Sequence, residues 1–404
     1  MGVVDMLRWL LWLGELVVAV PVAYLCVVTG AAVVATLQRW VGAAPGVDAL
    51  SATFAILIPA HNEQSDIGRL LASLAALDYP RERHTVCVIA DNCTDQTAQI
   101  ARAAGARVYE REDATKRGKG YALAWIFGQL AGEGLTFDAY TVLDADSVVD
   151  PDFLRALARG LATGAPALQA SNAVLNVSES PSTALRWLAL TLMNHVRPLG
   201  RNRLGGSSTL TGNGMCLTHS LLQRHPWQAY GLAEDYQYYL TLVQDGERIL
   251  YVPGARVRST MPTTFQQMQS QDIRWESLGP GQSGWQRLVA RHLLASGLRE
   301  GDWVRLDALA ELVTPPLSFL ATACVVVVVG ALLLRMPLQI VVALLTLAGL
   351  LAYVASAFVL LRPPLAVYRA LLHAPYFAFR KLWIYFVLRR SDKHTNTWVR
   401  TSRT

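Results

Sequence analysis

The chain has 404 residues, room for two or three domains, with 52% hydrophobic and only 16% charged residues. That balance excludes a protein that is water-soluble throughout, and five scattered cysteines without a C-x-x-C pair exclude a zinc or disulfide framework. The net charge of +6 calls for no nucleic acid, because basic residues beside an anionic membrane leaflet account for it.

In chain order, residues 10–37 form an apolar run broken by Glu15, Pro21, Thr29, Thr36 and glycines. A bilayer span needs ~20 such residues. The run is too long for the core of a signal peptide, and its lead-in carries Asp5 beside Arg8. Residues 1–40 are therefore expected to be an uncleaved anchor. Residues 41–51, rich in Gly, Ala and Pro, read as a linker.

From residue 54 onward, short apolar strands alternate with helical stretches. Strands are predicted at 54–59, 85–90, 107–109 and 140–143. Helices are predicted at 66–77, from Thr94, at 121–130 and from Pro151. This is the βαβ rhythm of an α/β sheet, and residues 51–305 are expected to form that domain. Two further apolar runs, 312–334 and 338–361, are separated only by Arg335, Met336 and Pro337, so residues 306–364 should form a helical hairpin in the membrane.

Residues 365–404 begin differently. Aromatic side chains are mixed with Arg369, His373, Arg380 and Lys381, a composition suited to helices lying in the membrane interface. Pro375 and the mid-segment charges disfavour a fourth span. Arg39, Arg362, Arg369, Arg380 and Lys381 flank the spans on one side, against Arg335 alone at the hairpin tip. The positive-inside rule then puts the α/β domain and the C-terminus in the cytoplasm and the N-terminus outside. A multi-pass protein of a bacterial-type inner membrane is the expectation.

The chemistry gathers at strand ends. The strand at 140–143 runs into Asp144-Ala145-Asp146. Two carboxylates one residue apart at a strand tip suit a hard cation, Mg²⁺ or Mn²⁺, that keeps positions open for substrate phosphates. A lone D-x-D more often caps a helix, so its neighbours decide. The first strand ends Pro59-Ala60-His61-Asn62-Glu63, and the second ends Ala90-Asp91-Asn92-Cys93-Thr94-Asp95. A basic loop, Lys116-Arg117-Gly118-Lys119-Gly120, lies between the second and fourth. Taken singly these are helix caps and solvated turns; their order is informative.

In that order they resemble glycosyltransferase family 2, which has a nucleotide-sugar-binding GT-A fold, over residues 54–154. The Ala-Asp-Asn-Cys-Thr-Asp form most resembles the branch implicated in bacterial exopolysaccharide assembly, in the family of cellulose, chitin and hyaluronan synthases. Farther on, Gly231-Leu232-Ala233-Glu234-Asp235 resembles the family's T-E-D motif, with Ala233 in place of Thr. Gln271-Asp272-Ile273-Arg274-Trp275 resembles Q-x-x-R-W. The resemblance covers residues 54–285 and the flanking membrane segments.

It implies a GT-A domain, a mixed sheet with helices on both faces, inserted between transmembrane helices. It further implies that the donor nucleotide and its diphosphate meet Pro59, Glu63, Asp91, Lys119, Asp144, Gln271, Arg274 and Trp275. Asp146 is the first metal ligand, with Asp144 beside it. Asp235 is the general base, and Glu234, Gly214 and Met215 belong to the acceptor pocket. One base and no identifiable nucleophile imply a single displacement with inversion. Asp272 stands where relatives often carry Arg; with the glycine-rich run 279–284 it suggests a gate.

The reaction class that follows is transfer of a sugar from a nucleoside diphosphate, UDP-linked in the first instance, to a polysaccharide or lipid-linked acceptor. Membrane lipids are expected partners, and a homo-oligomer or an export partner would supply a channel if one is needed. Two other classes compete. A non-catalytic binding subunit of a synthase is opposed by intact Asp146, Asp235 and Arg274. A transporter is opposed by few spans and no repeat.

Overall fold

The computed structural model describes residues 2–41, 51–264 and 284–390. Its centre is an eight-stranded mixed sheet of order β3-β2-β1-β4-β7-β6-β8-β5. The strands are β1 (Phe54–Ala60), β2 (His84–Asp91), β3 (Arg107–Arg111), β4 (Ala139–Val142), β5 (Ser147–Val149), β6 (Ala167–Val174), β7 (Met215–Thr218) and β8 (Ile249–Ser259). β1 pairs in parallel with both β2 and β4, and β2 with β3. β4 pairs antiparallel with β7.

Ile56, Leu57 and Ile58 are wholly buried, as a continuous apolar run must be when helices cover both faces of a parallel strand. Those helices are α2 (Ile67–Ala75), α3 (Thr97–Ala103), α4 (Lys119–Gly132) and α5 (Phe153–Leu161). The expected α/β architecture, a mixed sheet with covered faces, is the one observed.

Most boundaries differ from the sequence reading by one to three residues, and two of the differences have a local reason. The third strand continues two residues past Tyr109, to Arg111, because Asp91 pairs with Arg111 in register. The helix after Thr94 starts at Thr97, with Gln96 at its N-cap, because the Asp95 carboxylate accepts from the Thr97 N–H and holds the preceding residues in a turn. The helix after Pro151 starts at Phe153.

Beyond β6 the chain forms α6 (Pro181–Thr191), a π-turn at Leu192–Val196 and α7 (Arg197–Arg203). After β7 come α8 (His219–Arg224) and α9 (Glu234–Gln244); after β8 come α10 (Gly284–Glu300), α11 (Trp303–Val313), α12 (Leu317–Leu333), α13 (Pro337–Leu361), α14 (Leu365–Ala370) and α15 (Ala374–Arg390). The N-terminal α1 spans Val3–Val41.

Two helices among the described residues are long and apolar enough to cross a membrane, Val3–Gln38 and Pro337–Leu361. The run read as a span at 312–334 is helical from Leu317 as α12, and it meets α11 at a bend of 68°. Pro315 and Pro316 cause the break, since each disfavours helix in the residue before it and neither can donate a backbone hydrogen bond. The first apolar run is also two things in one helix. Past Tyr24, α1 packs on α7 so closely that a Cβ on Gly200 would sit 1.9 Å from the Val28 carbonyl oxygen. The apolar sequence there serves docking to the α/β domain, beside being long and apolar enough to cross a membrane.

Candidate functional site

β1, β2 and β4 end side by side. Pairing of Ala60 with Ala90 and of Leu57 with Val142 brings the residues after each strand to one edge. In open α/β sheets, that carboxyl edge is where ligands bind. Asn62 and Asn92 turn the chain there with positive φ, 56° and 52°, a region asparagine tolerates. The Asn62 side chain accepts from the Thr94 N–H at 2.8 Å, and that of Asn92 from the Asp113 N–H at 2.9 Å. The two turns therefore brace their neighbours.

Asp91, last in β2, is buried. Arg111 Nη1 donates to Asp91 Oδ1 at 2.6 Å and Arg111 Nη2 to the Lys116 carbonyl at 2.7 Å. Burial pushes the Asp91 carboxyl above its ordinary range, and the guanidinium opposes that push. Arg111 thus ties the β2 tip to the basic loop. His61 Nδ1 lies 2.8 Å from the Asp91 carbonyl oxygen, a backbone-bracing role.

The basic loop is exposed at Lys116 and Arg117 but held in the site from Gly118 onward. Gly118 has φ of 118° and opens α4, whose first residue is Lys119. Lys119 Nζ donates to Asp144 Oδ1 at 2.5 Å and to the Gly212 carbonyl at 2.8 Å. The Asp144 side chain stays 42% exposed, so it remains open to the cavity. Its backbone N–H donates to Asn213 Oδ1 at 3.1 Å, and Asn213 Nδ2 donates to Ser147 Oγ at 2.8 Å and Ser259 Oγ at 3.0 Å. This buried amide fixes the turn that carries Asp144 and Asp146.

Glu234 and Asp235 open α9, where two acids also favour the helix dipole. A Cβ on Gly212 would lie 2.8 Å from Asp235 Oδ2 and 3.2 Å from Lys119 Nζ. Lys119 therefore sits between the two acidic motifs, and only glycine leaves room for them. Burial, reinforced by Asp235, pushes the Glu234 carboxyl up to about 8. Burial also raises Asp235, against the pull of Lys119.

Pro59, Glu63, Asp91, Lys119, Asp144, Asp146, Glu234 and Asp235 all line one cavity of 1730 Å³. Gly214 and Met215 do not. Met215 is wholly buried in the apolar core, and a Cβ on Gly214 would lie 2.8 Å from Ala170 Cβ. The acceptor expectation for these two is corrected: alternation along β7 turns Met215 inward, and Thr211 and Gly212 hold the cavity wall instead. Gln271, Arg274 and Trp275, with Asp272 and the run 279–283, lie outside the described residues.

Sequence reasoning missed Arg111; the segment 211–216 resembles the family's acceptor pocket, but within it Gly212 and Asn213, not Gly214 and Met215, make the contacts to Lys119 and Asp144. Sequence reasoning also missed Tyr121 and Tyr230, which stack at 4.7 Å on the cavity wall. Spacing alone could have flagged only Arg111, whose β3 position faces Asp91.

The donor set fits a hard divalent cation. Among the described residues no group of three His, Cys, Asp or Glu forms a complete protein cage. Two carboxylates at a strand tip leave coordination positions for phosphate oxygens and water, the usual pattern for Mg²⁺.

Known proteins resemble this chain to a limited extent. It is 25% identical over 229 residues to "Probable glycosyltransferase YdaM" of Bacillus subtilis, covering 54% of this chain and 53% of that one. It is 27% identical over 241 residues to "Beta-monoglucosyldiacylglycerol synthase" of Synechocystis, covering 58% and 48%. The chain thus spans about half the length of these curated relatives. The solved mannosyltransferase PcManGT from Pyrobaculum calidifontis, in complex with GDP-Man and Mn²⁺, aligns with a TM-score of 0.48 at 17% identity, over 85% of this chain and 98% of that one. The sequence profile described as "Glycosyltransferase like family 2" matches residues 52–277, more than half of the chain and every strand of the sheet, and to that family the chain belongs.

Proposed function

We propose that the chain is a membrane-embedded inverting glycosyltransferase. It takes a sugar from a nucleoside diphosphate, UDP-linked, and transfers it to an acceptor presented at the cytoplasmic membrane surface. The acceptor class is a polysaccharide or a lipid-linked hydroxyl compound. The observation that carries this reading is the single cavity: carboxylates from the β2 and β4 tips and from α9 face it together, and it continues between apolar helices.

The roles follow from position. Asp91, at the far end, is placed to hold the nucleobase. Lys119 lies where it can meet the diphosphate, and in this resting arrangement it neutralises Asp144. Asp146 and Asp144 would hold Mg²⁺ or Mn²⁺, which when bound neutralises charge on the departing diphosphate. Asp235 accepts the acceptor proton as the new C–O bond forms at the anomeric carbon and the bond to the diphosphate oxygen breaks. Glu234, pushed up to about 8, is protonated at neutral pH and can donate a hydrogen bond to the acceptor. Arg274 and Trp275 are proposed to complete the diphosphate side.

A panel of nucleotide sugars with detergent-purified protein tests the reading, with nucleotide diphosphate release as the signal. One strong donor is expected, dependent on Mg²⁺ or Mn²⁺. Asp235→Asn should lower kcat by about 10²–10⁴-fold, and Asp146→Asn should weaken metal dependence. Release that survives both substitutions, or none from any donor, would overturn it.

A further inference from the structure

The cavity is larger than a donor requires. Small-ligand and cofactor pockets run about 300–1,000 Å³, against 1730 Å³ here. At least about 700 Å³ is left for a second occupant, and the walls of that remainder are apolar. They include Ala321 and Val325 of α12, Leu347 and Leu351 of α13, and Phe377 and Ala378 of α15.

A belt of polar bonds shows how deep this slot lies. The Tyr24 hydroxyl meets Asp307 at 3.4 Å, Arg197 Nε donates to the Tyr353 hydroxyl at 2.8 Å, and Arg201 Nη2 donates to Asp307 at 2.8 Å. Charged groups with tyrosines mark a membrane–water boundary. From Val3 to Tyr24, α1 rises about 33 Å at 1.5 Å per residue, close to the ~30 Å of a bilayer's hydrocarbon. Leu347 lies six residues before Tyr353 on α13, about 9 Å to the membrane side. The slot therefore begins at the acids and ends inside the hydrocarbon layer.

We infer that this slot binds the hydrocarbon chain of an uncharged long-chain lipid whose hydroxyl headgroup is the sugar acceptor, a diacylglycerol-type compound. The inference rests on the glycosyltransferase reading for the word acceptor, and on the cavity alone for the lipid. Charge selects the headgroup. Among the described residues the cavity wall carries seven carboxylates (Asp144, Asp146, Glu234 and Asp235 at the polar end, with Glu63, Asp91 and Glu311) against five cations, Arg117, Lys119, Arg186, Arg197 and Lys381, of which Lys119 and Arg197 are paired with Asp144 and Glu311. An anionic lipid phosphate would meet carboxylates there; a neutral hydroxyl meets a base.

Photolabelling in detergent with a diacylglycerol carrying a diazirine in its chain tests the slot without requiring turnover. Label is expected on peptides from residues 317–333 and 374–381, competed by long-chain but not by dihexanoyl glycerol. Ala321→Trp and Ala378→Trp, on different helices, should each cut this label about tenfold and raise the KM for dioleoylglycerol about tenfold. Donor hydrolysis without acceptor should not change. Label spread evenly over the membrane-facing helices, or unmoved by either tryptophan, would overturn the slot. Transfer to polyprenyl phosphate or a soluble oligosaccharide but not to diacylglycerol would overturn the acceptor. Competed, tryptophan-sensitive label without nucleotide release from any donor would overturn the catalytic reading and leave the lipid site standing.

Discussion

Asp235 and Glu234 are adjacent carboxyls with different tasks, and burial sets both. Each is pushed above the ordinary carboxylate range, Glu234 to about 8. In the native state the pair holds a proton that the unfolded chain gives up, so its contribution to stability falls as pH rises from the ordinary carboxylate range to about 8. Activity runs the other way, because a general base works only when ionised. The acid limb of kcat/KM, which reports the free enzyme, should therefore lie well above pH 4. Burial and the Asp144 charge oppose ionisation of Asp235, and Lys119 favours it; Glu234, raised to about 8, is still neutral where Asp235 ionises. Glu234→Gln should therefore leave the acid limb where it is while weakening acceptor binding. A pH–rate profile of both proteins checks this, and a limb displaced by a pH unit or more would mean that a Glu234 charge opposes the base. Gly212 belongs to the same scale: any side chain there would strike Asp235 and Lys119, and Gly212 also has φ of 73°.

One buried ion network ties the helix that carries Glu234 and Asp235 to α1, α7 and α11. Arg201, wholly buried on α7, gives Nε and Nη2 to Asp307 on α11, at 2.8–3.1 Å, and Nη2 to the Tyr239 hydroxyl at 3.0 Å. Tyr239 is on α9, the helix that begins with Glu234 and Asp235. Asp307 also accepts from the Ser207 N–H and from Tyr24 of α1. Removing one partner of such a pair strands a buried charge, at about 3–5 kcal/mol. Asp307→Ala should lower the unfolding midpoint in detergent strongly, and Arg201→Met with Asp307→Leu together should recover much of the loss. Single and double variants that melt alike would deny the pairing. Nothing in the sequence announced this network, since its members are separated by up to 283 residues and only tertiary packing brings them together. The strands were legible because apolar runs such as 54–60 state their burial directly, and Asp91, Asp144 and Asp235 were legible because they stand beside recognisable strand and helix ends. Hydropathy could not show the bend at Pro315 and Pro316, because it reads composition and not axis direction.

At the scale of the whole molecule, the belt through Tyr24 and Tyr353 divides the chain. On one side lie the sheet and the acidic end of the cavity. On the other, α12 and α13 run out and back, joined at Arg335, the single basic residue at that turn. α12 has 17 residues, a rise of about 26 Å, and α13 has 25, about 38 Å. Both are near the hydrocarbon thickness of ~30 Å, so the turn should reach the opposite surface. Arg362, Arg369, Arg380 and Lys381 follow α13, and by the positive-inside rule their excess over Arg335 would set the sheet on the cytoplasmic side, as the proposed function requires. Cysteine placed at Arg335 and at Asp152, the exposed residue before α5, separates the two surfaces. With an impermeant maleimide, Arg335→Cys should label in intact cells and Asp152→Cys only in inverted vesicles, each read against the wild-type protein's own cysteines. Labelling of both from the same side would mean that α12 and α13 do not cross, and the cavity could then not open into the bilayer between them. The reverse pattern would place the acids on the side where nucleotide sugars are absent. The charge asymmetry and the metal site thus stand on the same side of the membrane or the enzyme has no donor, which makes this labelling the most economical check on the molecule as a whole.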